Sequence, residues 1–174
     1  LEAIKGKATG KALDLGCACG RASFELARQF EEVDGIDFSA NFTRLAAKMA
    51  QQGEVRYARV EEGELVSYHT RTLQQLGLDA YPNRVSFHQG DACNLKPQFT
   101  GYDLILAANL IDRLYQPSRF LADMAQRIND GGLLIIASPY TWLEEHTPKE
   151  EWIGGFKKDG ENYSTLDGLK DHLS

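Results

Sequence analysis

Basic clusters, long apolar runs and paired cysteines are all scarce in this sequence, and each shortage excludes a class of function. The net charge is −6, and the longest basic run is the pair at 157–158, which argues against a nucleic-acid partner. No apolar run is long enough to span a bilayer, which argues against a membrane role. The three cysteines form no disulfide framework, so we expect a reducing, cytoplasmic setting.

A metal site is also not predicted. Cys17 and Cys19 are separated by one residue, but no second cysteine or histidine pair stands at ligand spacing. The four histidines are scattered along the chain. The two cysteines are therefore interpreted as small packing residues, with metal binding as the less favoured alternative.

Short apolar stretches alternate with amphipathic ones along all 174 residues, which predicts a single domain spanning 1–174. The strands are predicted at 12–15, 32–36, 84–89, 103–107 and 133–138, and the helices at 21–30, 40–51, 70–77, 117–128 and 166–173. The glycines at 131–132 are expected to end the fourth helix. This alternation is typical of an α/β fold with a Rossmann-like, doubly wound, mostly parallel sheet.

Two regions exceed that minimal pattern. An insertion at about 53–79 includes a possible extra strand at 55–60 and is expected to be either a lid over the site or a surface excursion. The tail at 141–174 has room for one helix only. We therefore expect the carboxyl-terminal edge strands to be missing and the tail to be incomplete, and the sequence also starts without Met.

The loop after the first strand carries the main functional signal. It contains Asp14, Gly16, Cys17 and Gly20, the arrangement of a tight turn that approaches a nucleoside cofactor. The central glycine of a dinucleotide fingerprint is replaced by Ala18, and no Walker A lysine follows. The loop resembles motif I of the class I S-adenosylmethionine-dependent methyltransferases, whose ligand has no phosphate.

Further acids end the next two strands, at Asp37 and Asp91. Ionised aspartates only accept hydrogen bonds, which suits ribose hydroxyls and an adenine amine. The methyltransferase resemblance implies that Asp14 holds the methionine end of S-adenosyl-L-methionine, Asp37 the ribose and Asp91 the adenine. Ordinary turn and helix-cap acids are the alternative. The neighbouring residues counted with this cofactor site are Phe38, Ala92 and Asn109, the last near the sulfonium.

Residues for the methyl acceptor are expected after the fourth and fifth strands. Asp112 and Arg113 could bind the amino and carboxylate groups of a small zwitterion, or form only a solvated ion pair. Tyr140 and Glu144 lie in a segment rich in aromatic and acidic residues, which could instead be a hydrophobic anchor with an acidic turn. No Asn-Pro-Pro-Tyr motif follows the fourth strand, so DNA is not the expected acceptor.

Five segments together resemble one methyltransferase family more specifically. They are 12–18, 89–95, 107–114, 138–145 (Ser-Pro-Tyr-Thr-Trp-Leu-Glu-Glu) and 165–170. The chain is similar to the C-terminal methyltransferase domain of the ovothiol-biosynthesis enzymes, although Cys19 stands where an aliphatic residue is expected. The resemblance implies N-methylation of 5-thiohistidine (4-mercaptohistidine) to ovothiol A, with S-adenosylhomocysteine as the second product. It also implies a partner outside this chain, an iron-dependent sulfoxide synthase domain.

In that interpretation, Asp112, Tyr140 and Glu144 orient the imidazole ring, and none of them is assigned as the base. Two alternatives remain open. The chain could methylate another small nitrogen or sulfur nucleophile, or it could bind the cofactor without turnover.

Overall fold

The computed structural model describes residues 4–7 and 9–174. Its strands are β1 (Lys11–Leu15), β2 (Glu32–Asp37), β3 (Glu54–Glu62), β4 (Leu65–Thr72), β5 (Val85–Gln89), β6 (Tyr102–Ala108), β7 (Ile128–Ala137), β8 (Phe156–Lys158) and β9 (Glu161–Tyr163). Its helices are α1 (Arg21–Leu26), α2 (Ala40–Gln52), α3 (Pro117–Met124) and α4 (Thr165–Leu173), and 3-10 turns cover Pro82–Arg84, Ile111–Arg113 and Lys149–Glu151.

Five strands form a wholly parallel sheet in the order β5-β2-β1-β6-β7. Successive residues of the central strands point to opposite faces, and both faces are apolar. Ala12 and Leu104 pack with α1 and α2, whereas Leu13 and Ile105 pack with α3 and α4. Helices on both faces of a parallel sheet confirm the predicted α/β, doubly wound class.

All five predicted sheet strands are present in the predicted order. The first and third helices end about four residues earlier than predicted, at Leu26 and Met124. The glycines expected to end the helix before β7 instead lie within β7. Gly131 has a φ of 76° there and accompanies an irregularity in the pairing of β6 with β7.

The helix predicted at 70–77 is wrong. Residues up to Thr72 belong to β4, which pairs antiparallel with β3, and turns follow. The apolar spacing that suggested a helix comes from Leu73 and Leu78, which are buried with Val55 below the sheet. Tertiary burial here overrides the local pattern.

The strand predicted at 55–60 is confirmed as part of β3, and the insertion as a whole forms the β3–β4 hairpin. The hairpin starts after α2 and ends before β5, so it lies at the edge where the parallel strands begin. Ligands of such sheets bind at the opposite edge, where the strands end. The hairpin is therefore a surface excursion rather than a lid.

The tail contains one element that the sequence analysis did not predict. Strands β8 and β9 pair antiparallel with each other, and within the described residues they form a separate two-stranded sheet. The predicted terminal helix is confirmed as α4, which begins with a capping box between Ser164 and Asp167. None of the helices in 4–7 and 9–174 has the length and apolarity that a bilayer crossing requires.

Candidate functional site

Two cavities open where the parallel strands end. We call the first the carboxyl-edge cleft; it has a volume of about 290 Å³ and is lined by Gly16, Asp37, Phe38, Asp91, Ala92, Arg113 and Tyr115, among others. We call the second the α1 cavity; it measures about 730 Å³, and its lining includes Asp14, Gly16, Cys17 and Asn109. Gly16 lines both. Eight of the nine predicted cofactor residues thus line one or both of these adjoining cavities.

The loop between β1 and α1 is held by β2. The amides of Gly16 and Cys17 donate to the carbonyl of Ile36 at 2.8 and 3.1 Å, and the Ala18 amide donates to the Asp37 carboxylate at 2.9 Å. Ala18 has a φ of 47°, a conformation that favours glycine. The Asp37 bond thus helps to hold a strained turn, and these amides are already satisfied within the protein.

Gly20, the ninth predicted residue, shapes the loop from behind. It precedes α1 with a φ of 86°, and a Cβ atom at this position would lie 2.7 Å from Cε1 of Phe87 and 3.2 Å from Cβ of Ala46. No other residue type combines this backbone conformation with so little space. Gly20 therefore sets how closely the loop approaches the sheet.

Asp37 and Asp91 face the carboxyl-edge cleft from neighbouring strands. Asp37 also accepts the amide of Ser39 at 2.8 Å, and Asp91 accepts the amide of Cys93 at 2.8 Å. The Tyr115 hydroxyl donates to the other oxygen of Asp91 at 2.8 Å, and this bond raises the pKa of the tyrosine. Phe38 projects beside them with 78% of its surface exposed. The cleft therefore combines hydrogen-bond acceptors with an open aromatic ring.

Asp14 is buried between β1 and α1, where it accepts the Ser23 hydroxyl at 2.6 Å. Burial disfavours the charged form and raises the pKa of Asp14 from 3.8 to about 6, although the Ser23 bonds oppose this shift. A partly protonated carboxyl group consequently lies beneath the α1 cavity near neutral pH.

This raised pKa predicts a pH-dependent stability. The contribution of neutral Asp14 is fully present below pH 3.8 and is lost as the pH rises through about 6, so the free energy of unfolding should fall by about 3 kcal/mol across that window. Asp14→Asn should remove this fall, whereas the exposed control Asp79→Asn should keep it. Urea unfolding of the three proteins at several pH values measures the difference. Parallel pH profiles for Asp14→Asn and the unmodified protein would contradict the assignment.

Asp112 connects the segment after β6 to the segment after β7. Its buried carboxylate accepts the Ser138 hydroxyl at 2.8 Å and both the amide and hydroxyl of Thr141, at 3.0 and 2.9 Å. Burial opposes ionisation, but these hydrogen bonds outweigh it and hold the pKa of Asp112 below its ordinary value. Both carboxylate oxygens are thus committed to the protein, which favours a positioning role over direct contact with an acceptor.

Tyr140 and Glu144 lie outside the described lining of both cavities. Tyr140 is 39% exposed and has a φ of 54°, which is a rare conformation for a tyrosine. It is flanked by Ser138 and Thr141, the residues that bond Asp112. Strain of this kind persists where surrounding contacts fix the backbone and is frequent at functional sites. Glu144 is exposed in the turn that follows.

Two lining residues were not assigned to the cofactor from the sequence. Arg113 donates to the carbonyl and hydroxyl of Thr141 at 2.8 and 3.0 Å, and it keeps part of its guanidinium exposed in the cleft. Tyr115 reaches Asp91 across 24 positions. No spacing rule links these residues, so only the fold brings them to the site.

The cysteines are not arranged as a metal site in the part of the chain that is described. Cys17 is buried and Cys19 is exposed, and burial raises the pKa of both thiols. The described residues contain no group of three or more His, Cys, Asp or Glu side chains placed to hold a metal ion.

Comparison with known proteins agrees with this fold. The YcgJ protein of Bacillus subtilis is 16% identical, with a TM-score of 0.55 over 78% of this chain and 46% of its own. The CcbJ methyltransferase of Streptomyces caelestis is 18% identical, with a TM-score of 0.57 over 78% and 48%. An S-adenosylmethionine-dependent methyltransferase of Mesorhizobium loti is 14% identical, with a TM-score of 0.52 over 75% and 48%.

This chain therefore spans about half the length of these structures. No curated protein matches it significantly in sequence. A family model described as a methyltransferase domain matches residues 1–171, nearly the whole chain. Together with the sheet order and the loop after β1, this match shows that the chain belongs to the methyltransferase-domain family.

Proposed function

We propose that this domain binds S-adenosyl-L-methionine at the carboxyl-edge cleft and the α1 cavity and methylates an imidazole nitrogen of 5-thiohistidine, which gives ovothiol A and S-adenosylhomocysteine. The observation that carries the cofactor part is the pairing of Asp37 and Asp91 in one cleft beside Phe38. The acceptor part is supported by the resemblance of the segment 138–145, which lies next to this cleft through its bonds to Asp112 and Arg113.

The residues present fit this cofactor better than a dinucleotide. A diphosphate needs unpaired backbone amides, but those of Gly16, Cys17 and Ala18 already donate within the protein. The ionisable groups closest to the loop are carboxyls, those of Asp14 and Asp37, which favour a cation over a diphosphate. Hydroxyl and amine donors of adenosine match the acceptors Asp37 and Asp91.

When bound, the cofactor supplies a methyl group on a positively charged sulfur. Every other contribution of the chain is orientation, which can lower the barrier of such a displacement by up to about 7–11 kcal/mol. Asn109 holds the backbone turn at the end of β6, with a φ of 55° and its amide bonded to the carbonyl of Ala137. Asp112 fixes the following turn against the segment that carries Tyr140, and Tyr140 and Glu144 are proposed to orient the acceptor ring.

Arg113 is proposed to hold the acceptor's carboxylate. Its side chain lines the cleft, and its bonds to Thr141 leave it restrained in one orientation. A restrained guanidinium binds a carboxylate with less loss of conformational freedom than a mobile lysine. Because Asp112 is saturated by protein donors, we assign only the carboxylate, and not the amino group, to this pair.

The proposal is tested by transfer of a radiolabelled methyl group to 5-thiohistidine, histidine and decarboxylated 5-thiohistidine. We expect 5-thiohistidine to be the best acceptor, and Arg113→Gln to raise its KM about tenfold while leaving the KM of the decarboxylated analogue and the cofactor affinity unchanged. Cofactor binding without transfer to any of the three acceptors would contradict the catalytic proposal. Equal loss for both thio compounds would contradict only the role of Arg113.

A further inference from the structure

The two faces of the β3–β4 hairpin differ sharply in chemistry. We call them the polar face, with Tyr57, Arg59, Ser67 and His69, and the apolar face, with Arg56, Ala58, Val60, Val66 and Tyr68, as the pairing register requires. The two sets alternate along each strand, so each set shares one side of the hairpin.

The polar face is satisfied by its own side chains. Glu61, at the irregularity near the tip, accepts Arg59 at 2.9 and 3.1 Å and is also hydrogen bonded to Ser67. The pKa of Glu61 is lowered by these two bonds. Tyr57 stacks on His69 with ring centroids 5.5 Å apart. This face therefore has the character of a surface that is exposed to water.

The apolar face has the composition of a surface that is covered. In the described residues, Val60 is 68% exposed, Val66 46% and Tyr68 64%, and only Arg56 lies over the ring of Tyr68, at 4.7 Å. An isolated two-stranded hairpin is marginally stable in water unless one face packs against something. Val55, at the base on the polar side, is buried in the domain core, so the apolar face points away from the domain.

The charges along the hairpin identify a fitting partner. Arg56 lies toward the base, whereas Glu62 and Glu64 form an acidic tip about 20 Å away along the strand. Two hairpins packed face to face in opposite directions would place each Arg56 beside the partner's tip. The hairpin contains three arginines and four glutamates, so it is nearly neutral in a chain of net charge −6. Such a self-complementary surface suits a two-fold axis.

We propose that the apolar face of the β3–β4 hairpin is a dimerisation surface for a second copy of this chain. The face measures roughly 26 by 10 Å, which is small for a protein interface, so the dimer is weak and concentration-dependent. Because the hairpin lies at the edge opposite the carboxyl-edge cleft, dimerisation leaves both clefts open. The proposal is independent of the methyl acceptor.

Sedimentation velocity from about 1 to about 300 µM tests the proposal. We expect a monomer–dimer equilibrium with a dissociation constant in the micromolar range. Tyr68→Ser should raise that constant at least about tenfold, whereas Tyr57→Ser, the matched tyrosine on the polar face, should leave it unchanged. Circular dichroism checks that both variants stay folded. A monomer throughout this range, or equal effects of the two tyrosines, would overturn the proposal.

A charge exchange tests the orientation of the two copies. Arg56→Glu alone and Glu62→Arg with Glu64→Arg should each weaken the dimer, and the combined variant should restore it. Arg56 is too far from the tip of its own hairpin for this rescue to occur within one chain. Failure of the combined variant to recover self-association would overturn the antiparallel arrangement.

Discussion

Replacing Asp37 with alanine is expected to weaken S-adenosylmethionine binding by about 1.5–3 kcal/mol, roughly 10- to 150-fold. The variant loses a charged acceptor for the ribose hydroxyls. It also loses the bond to the Ala18 amide that holds the loop in its left-handed turn. Isothermal titration with the cofactor, at a temperature where the variant is folded, measures the effect.

Asp103 provides the matched control for this variant. It also accepts two backbone amides, those of Gly10 and Lys11, but it lies at the start of β6, at the opposite edge of the sheet. Asp103→Ala should therefore lower the free energy of unfolding and leave the affinity for the cofactor unchanged. Unchanged affinity in Asp37→Ala, or an equal loss in Asp103→Ala, would contradict the role of Asp37.

Gly20→Ala is expected to lower the free energy of unfolding by about 2–5 kcal/mol. Of this, about 1–2 kcal/mol comes from the left-handed backbone and about 1–3 kcal/mol from overpacking against Phe87 and Ala46. The loop can relieve the overlap only by moving away from the sheet, so the cofactor affinity should fall as well. Urea unfolding and calorimetric titration measure the two losses.

Gly53 separates the two causes, because it has a similar φ of 73° but a Cβ atom there meets no other atom within 4 Å. Gly53→Ala should therefore cost only the backbone term. Phe87→Leu in the Gly20→Ala background should recover part of the difference by opening space. If Gly20→Ala and Gly53→Ala were equally destabilising, the close approach of the loop to Phe87 would be refuted.

The parallel sheet and its ligand-binding edge could be predicted because their signals are local. Each strand is a short apolar run, and Asp14, Asp37 and Asp91 each stand at or next to the end of such a run. In a parallel sheet these ends meet at one edge, so the neighbourhood of the acids follows from the strand order. The sequence also predicted the positions of Gly16 and Gly20, where the turn requires positive φ.

The parts that could not be predicted depend on contacts between distant segments. Asp112 bonds residues 26 and 29 positions away, which turns an expected acceptor ligand into a brace. Tyr115 reaches Asp91 in the same way. The β4 strand was mistaken for a helix because its end continues into Leu73, whose burial beside Val55 is a property of the folded core.

The central claim is that the loop between β1 and α1 forms part of an adenosyl-sulfonium site rather than a dinucleotide site. Calorimetric titration of the unmodified protein with S-adenosylhomocysteine, and separately with NAD, tests this most directly. We predict one-site binding of S-adenosylhomocysteine and no heat from NAD, because the loop amides that a diphosphate needs are already bonded to Ile36 and Asp37. Tighter binding of NAD, or no binding of S-adenosylhomocysteine, would contradict the account.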